Sequence, residues 1–158
     1  MADAQVVVGS EDAASQEAQL LIAEFTQELK NRYGDEGPKP WSAEAARHAR
    51  SAFLVARLDG KAVGSIALGP FEGDEAGVAE AGHLYVRPEA RGRRLSYELL
   101  RKAEEKAAAL GYHTVRLVTG LREPEAIHLF VKCSYNRIPR YGKYAQRPLS
   151  ACFEKKLS

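Results

Sequence analysis

Fifteen residues from Val86 to Leu100, VRPEARGRRLSYELL, bring together residue types that can bind an anion. An apolar strand end meets Pro88, then a turn crowded with Arg87, Arg91, Arg93 and Arg94, then a helix whose N-terminus lies near Gly92, with Ser96 nearby. The first turn of a helix carries backbone N–H groups without internal partners, and its dipole presents a positive end. A phosphate placed there is held by main chain, with Gly92 allowing close approach and the arginines adding charge. No G-x-x-x-x-G-K-[ST] or G-x-G-x-x-G run occurs. By spacing alone, an ordinary strand-to-helix turn with solvated arginines fits equally well.

Other reactive residue types are scattered. His48, His83, His113 and His128 form no Ser/His/Asp or metal set, and Cys133 and Cys152 lack CxxC or His pairing. They give no metal or redox signature, a reduced cytoplasmic setting is the expectation, and a disulfide between the two stays open. The 158 residues suit one domain with one sizeable core. No apolar run reaches the ~20 residues that span a bilayer, and the N-terminus lacks a basic start and an apolar stretch, so neither membrane partner nor signal peptide is expected. The net charge is only +2, but eight acidic and two basic residues fall in 1–36. Residues 132–156 carry Lys132, Arg137, Arg140, Lys143, Arg147, Lys155 and Lys156 against Glu154 alone. Nucleic acid is the largest anion to consider, but no nucleic-acid motif is present and Glu89 and Glu98 interrupt the arginines.

The elements that must position these groups read as follows. QVVVG is a short strand, and SQEAQLLIAEFTQELKNRYG is an amphipathic helix stopped by Gly34. DEGPKPW is a loop and SAEAARHAR a short helix capped by Ser42. AFLVARLDGKAVGSIALG is a hairpin turning at Asp59-Gly60. GDEAG is a loop, and Glu80–Val86 is the next strand. Leu95, Leu99, Leu100, Ala103, Ala107 and Leu110 form a helical stripe ended by Gly111. HTVRLVT is a strand, PEAIHLFVKC a helix with Pro124 in its first turn, and Ile138 with SACFEKKL supplies closing strands. The order β-α-α-β-β-β-α-β-α-β-β predicts a mixed α/β fold: one mostly antiparallel central sheet flanked by helices, with a local parallel pair made by residues 80–119.

The segment LYVRPEARGRRLSYELL resembles the cofactor-binding segment of the GNAT family of N-acetyltransferases: strand, Pro, R-G-x-G-x-G/A, then a helix with paired leucines. Arg91, Gly92 and Ser96 fit, whereas Arg94 stands where the middle glycine is usual. EPEAIHLFVKCSYNRIP resembles the family's next helix, N-x-x-A-x-x-L-Y-x-x-x-G-F. Ala126, Leu129 and Tyr135 match in kind, while Glu123 replaces Asn, Phe130 replaces Tyr and Ser134 replaces Gly. The closing IPRYGKYAQRPLSACFEKKL resembles a small-molecule subgroup, so the resemblance covers nearly the whole chain as a single GNAT-like domain.

The resemblance implies acetyl-CoA as acyl donor and the primary amine of a small molecule as acceptor, attacked directly on the thioester. Leu84, Tyr85, Val86, Arg91, Gly92, Arg93, Arg94, Leu95, Ser96 and Phe130 are then expected at the cofactor. Glu80 is the expected general base, acting through a water, and a backbone N–H near Leu84 to Val86 the oxyanion donor. Phe130 cannot donate a proton, so Tyr141 is the expected acid, with Tyr135 and Tyr144 as neighbours in sequence and unaided thiolate departure also open. Tyr33, Trp41 and Tyr144 are expected to line the acceptor site. A CoA-binding protein with little turnover, another acyl donor, or an interaction module are the competing readings, and a homodimer is compatible with all of them.

Overall fold

The computed structural model describes residues 5–34, 49–70 and 77–157. The loop at 35–41 with Trp41, the helix expected at 42–50 apart from its last two residues, His48, and the loop at 73–77 apart from Gly77 lie outside the described residues.

The described elements are β1 (Val6–Ser10), α1 (Gln16–Tyr33), β2 (Ala52–Leu58), β3 (Lys61–Pro70), β4 (Val78–Val86), α2 (Leu95–Ala109), β5 (Thr114–Gly120), α3 (Pro124–Lys132), β6 (Asn136–Ile138) and β7 (Ser150–Lys156). The strands form one seven-stranded sheet in the order β1-β2-β3-β4-β5-β7-β6. Every pair is antiparallel except β4 with β5, which α2 connects. The mixed, mostly antiparallel sheet is therefore as its sequence predicts. β4 starts two residues earlier than expected, at Val78. Among the described residues no helix is long and apolar enough to cross a membrane, and no group of His, Cys, Asp and Glu is arranged to hold a metal. Cys133 and Cys152 are both free thiols, so no disulfide joins them.

The helices start and stop where their chemistry dictates. The Ser15 hydroxyl accepts from the Ala18 N–H at 3.2 Å and caps α1, and Gly34 ends it at φ +62°. α2 covers one face of the sheet with Leu95, Leu99, Leu100, Ala103 and Ala107, all buried against Leu54, Ile66, Leu68 and Phe153. Each fully buried leucine contributes about 1.5–3 kcal/mol. The close approach of α2 needs Gly64, because a Cβ there would stand 2.8 Å from the Tyr85 carbonyl oxygen and 3.1 Å from Leu99 Cδ1. α1 covers the other face through Ala18 and Leu21 against Phe53, Val55, Ala67 and Tyr85.

Two irregularities in β4 matter for function. Val78 to Ala81 pair with Thr114 to Leu117 of β5, and beyond Ala81 the two parallel strands part, while β5 stays paired with β7 through Gly120. Among the described residues the β5-side edge of β4 from Gly82 to Val86 therefore has no strand partner. In addition, Ser65 faces Tyr85 whereas Ala67 faces Gly82, so His83 and Leu84 together oppose Ile66. This is a β-bulge. It shifts the alternation of side chains: Glu80 and Gly82 share the α1 face with His83 and Tyr85, while Ala79, Ala81, Leu84 and Val86 face α2. His83 sits at the bulge with φ +56°.

Candidate active site

The turn after β4 is built from one 3-10 turn, Pro88–Ala90, followed by two left-handed residues. Gly92 has φ +83°, and a Cβ there would meet nothing within 4 Å, so the space above it is open to a ligand. Arg94 is the N-cap of α2 at φ +62°, ψ 22°, with no side-chain cap. The sequence leaves open whether Arg94 could avoid the conformation that glycine prefers. It does not, and a left-handed non-glycine residue costs about 1–2 kcal/mol.

Between α1, the end of β4, this turn and α3 runs a groove of about 680 Å³. Leu84, Tyr85, Val86, Arg91, Gly92, Arg94, Leu95 and Ser96 all line it. Arg93 is exposed but lies off the lining, and so does Phe130, which is 3% exposed and packs on Tyr135 and Phe153. The expected contact of Phe130 with a ligand is thus replaced by a core role. Two of the four arginines are committed to α1. Arg87 grips Glu24 through Nε and Nη2, both at 3.0 Å, and the Tyr85 hydroxyl donates to the same carboxylate at 3.0 Å. Burial pushes the Tyr85 phenol above its ordinary pKa. Arg91 pairs with Glu28 at 2.5 Å and donates through Nε to the Val86 carbonyl at 2.9 Å. These arginines fix the turn to α1, and the anion-binding capacity of the turn falls to its main chain and to Arg94.

At the C-terminal end of α1, Tyr33 is 3% exposed and does not face an open site. Its hydroxyl donates to Glu123 Oε2 at 3.0 Å and accepts from the Arg122 N–H at 3.0 Å. Glu123 Oε2 also accepts from Thr119 Oγ1 at 3.2 Å and from the Gly120 N–H at 3.0 Å. Glu123 is 7% exposed, and burial pushes its carboxyl above the usual range against these hydrogen bonds. Arg32 adds an ion pair to Glu125 at 2.5 Å. A latch thus joins the end of α1 to the start of α3 over a sequence separation of 90 residues. Tyr33 belongs to it and not to an acceptor wall.

Glu80 lies further down β4, on the face that carries the bulge. Tyr141 donates to its Oε2 at 3.5 Å and Tyr144 to its Oε1 at 3.3 Å. The two rings stand at 90° with centroids 5.8 Å apart. Arg116, the β5 residue beside Glu80 in register, bonds Glu154 at 3.0 Å and lies 5.5 Å from the Tyr141 ring centroid. Burial, then the Glu80 charge, raise the Tyr141 phenol well above its ordinary pKa, so it keeps its proton. Tyr135 is not part of this cluster: its hydroxyl bonds Glu104 at 3.0 Å on the α2 side. The structure thus places the expected residues Glu80, Tyr141 and Tyr144 beside one another and adds Arg116 to them, while the bulged His83, which the sequence assigns no role, lies on the same face of β4. His83 is 8% exposed, edge-on to Phe25 at 4.8 Å, and burial lowers its pKa to about 4. A polar residue amid an apolar strand was the one available signal.

The model of the acetyltransferase (GNAT) family matches residues 18–135. An IAA acetyltransferase of Azospirillum brasilense is 30% identical over 152 residues, covering 96% of this chain and 98% of that protein. A Klebsiella pneumoniae protein classed as an acyl-CoA N-acyltransferase superposes with a TM-score of 0.79 at 27% identity, covering 97% and 98% of the two chains. The yncA acetyltransferase of Salmonella typhimurium, solved with its cofactor acetyl-CoA, has the same fold with a TM-score of 0.67 at 16% identity, covering 97% and 94%. The chain therefore belongs to the acetyltransferase (GNAT) family, and is an N-acetyltransferase whose acetyl donor is acetyl-CoA.

Proposed function

We propose that this chain acetylates the primary amine of a small molecule, with Glu80 as general base and Tyr141 as proton donor. The donor fits the groove on two observations. The space over Gly92 is open where a side chain would otherwise stand. Beyond Ala81 the β5-side edge of β4 has no strand partner among the described residues, and Leu84 to Val86 line the groove there. Gly92, Leu95 and Ser96 would hold the diphosphate, and Leu84 to Val86 the extended arm. When bound, acetyl-CoA supplies the acetyl thioester that the amine attacks.

The observation that carries the reading is the Glu80 carboxylate held between the Tyr141 and Tyr144 hydroxyls at 3.5 and 3.3 Å. An amine enters as its ammonium, which has no lone pair to attack with. Glu80, through a water, removes that proton. The two perpendicular phenol rings attract a cation beside the carboxylate. Gly82, on the same face as Glu80, leaves room there, since a Cβ would meet nothing within 4 Å. Main-chain N–H groups at the Leu84–Val86 end of the open edge can stabilise negative charge on a carbonyl oxygen. Tyr141 keeps its proton and can offer its hydroxyl to a departing thiolate.

A panel of small primary amines, peptides with free N-termini and lysine peptides, assayed for CoA release, tests the reading. Turnover is expected with small amines. Acetylation confined to peptides would overturn the acceptor class.

A further inference from the structure

We propose that Arg94 and Lys132 form a two-sided clamp for the ribose 3′-phosphate of the donor, so that the protein selects acetyl-CoA over its 3′-dephospho form. The inference rests on the acetyl-CoA assignment and deepens it.

The donor carries two separated anionic groups, an internal diphosphate and a terminal phosphate on the ribose, and two separated anions need two sets of partners. The main chain of the turn at Gly92 serves the first. The four arginines nearby do not all remain to serve the second: Arg87 and Arg91 are held by Glu24 and Glu28. Arg94 and Lys132 are both exposed, both line the groove, and come from different elements, the N-cap of α2 and the last residue of α3. Among the described residues neither carries an ion pair. The nearby carboxylates are taken, Glu98 by Arg101 at 3.1 Å and Glu125 by Arg32 at 2.5 Å. The Arg94 guanidinium stacks 4.7 Å from the Tyr97 ring centroid, which orients it without neutralising it. Cys133, the residue after Lys132, lines the same groove, so the end of α3 and the start of α2 border one opening.

The backbone of Arg94 supplies an independent argument. At φ +62° a glycine would be unstrained, so the arginine side chain is kept against a local conformational cost. The Tyr97 stack offsets part of that cost, and a ligand charge would offset more.

Calorimetric titration of the wild-type chain with acetyl-CoA and with 3′-dephospho-acetyl-CoA reads the selectivity. The 3′-phosphorylated thioester is expected to bind about tenfold or more tightly. Arg94→Ala and Lys132→Ala should each remove most of that ratio and leave affinity for the 3′-dephospho thioester within about threefold of wild type. Arg94→Gly should lose the ratio while its Tm rises by about 2 °C, a combination that a purely structural role would not give. A wild-type ratio near one, or equal weakening of both thioesters by Arg94→Ala, would overturn the clamp, the second outcome assigning the charge to the diphosphate. A wild-type chain that binds neither thioester would overturn the groove assignment and the clamp with it.

Discussion

Glu80 and Glu123 are two acidic side chains, each bound by tyrosine hydroxyls, yet they are built for different ends. One oxygen of Glu123 accepts from Tyr33, Thr119 and the Gly120 N–H, all between 3.0 and 3.2 Å, and the residue is 7% exposed. Glu80 receives one phenol on each oxygen, at 3.5 and 3.3 Å, and remains partly exposed at the point where β4 and β5 separate. Short bonds from main chain and from rigid neighbours make Glu123 a fastener. The bonds from Tyr141 and Tyr144 to Glu80 are longer and come from a loop. Carboxylates of equal chemistry are thus divided by the tightness of their surroundings, and substitution at each should register in a different measurement.

The largest effect is expected at Glu80. Glu80→Gln keeps the size and can still accept from Tyr141 and Tyr144, but it cannot take a proton. The rate should fall by about 10²–10⁴-fold with acetyl-CoA affinity unchanged. The loss should shrink at high pH, where free amine is plentiful. Pre-steady-state CoA release and calorimetry separate the two quantities, and identical pH–rate profiles in mutant and wild type would remove Glu80 from the mechanism.

At Glu123 the damage should be to stability. Glu123→Ala strands the Tyr33 and Thr119 hydroxyls and the Gly120 N–H, and a buried stranded donor costs about 1–3 kcal/mol. Chemical denaturation should show a loss of about 3 kcal/mol, with Glu123→Gln losing less because an amide oxygen still accepts. A neutral Glu123→Ala, or a mutant as stable as wild type that has lost only turnover, would break the contrast with Glu80.

The same division explains what the sequence discloses. The α2 stripe from Leu95 to Ala107, the Asp59-Gly60 hairpin and the cradle at Gly92 are legible because each is written in neighbouring residues by periodicity or turn chemistry. Glu80 is singled out by its place on the strand and by the family resemblance, but its two phenol partners lie more than 60 residues away. Glu123 reads only as a departure from Asn, since its partner Tyr33 lies 90 residues away and nothing local pairs them. The α1 carboxylates that occupy Arg87 and Arg91 are hidden for the same reason. Phe130 falls among site candidates by alignment to a tyrosine, but lacking a hydroxyl it has no reason to leave the core, and its ring packs with Phe153. The bulge at His83 depends on one extra residue between strands whose register is set elsewhere.

The pH dependence of stability gives a finer test, because two buried groups slope in opposite directions. Glu123 has its folded pKa raised by burial, so its contribution is present below the unfolded value and is lost as pH rises through the folded one. His83 has its folded pKa lowered from 6.5 to about 4, so its contribution is present above 6.5 and is lost as pH falls through about 4. Between about pH 4.5 and 6.5 the two partly cancel, each at a slope of at most about 1.4 kcal/mol per pH unit. Urea midpoints across this window should rise more steeply with pH in Glu123→Gln. They should flatten or turn downward in His83→Asn, where asparagine tolerates the left-handed backbone. An unchanged slope in Glu123→Gln would mean that its carboxyl titrates alike in both states, and the fastener would be looser than its bonds imply.

The smallest effects are expected at the two phenols, and they decide whether Glu80 is held symmetrically. Tyr141→Phe and Tyr144→Phe each remove one long hydrogen bond to Glu80, which limits the loss to about tenfold. Their roles diverge after that. Tyr141 has Arg116 against its ring, and burial together with the Glu80 charge raises its pKa. Its removal should lower kcat, most of all with donors whose thiol is a poor leaving group. Tyr144 stands perpendicular to the Tyr141 ring, and if it holds the amine beside Glu80 as expected, its removal should raise KM for the amine and leave kcat nearly intact. Measuring kcat and KM for one amine with acetyl-CoA and with a thioester of a more acidic thiol distinguishes the two. If Tyr141→Phe lowers kcat equally with both donors, the phenol orients Glu80 without supplying a proton, and the thiolate departs unaided. If Tyr144→Phe carries the leaving-group dependence instead, the acid is Tyr144, whose hydroxyl is the nearer of the two to Glu80.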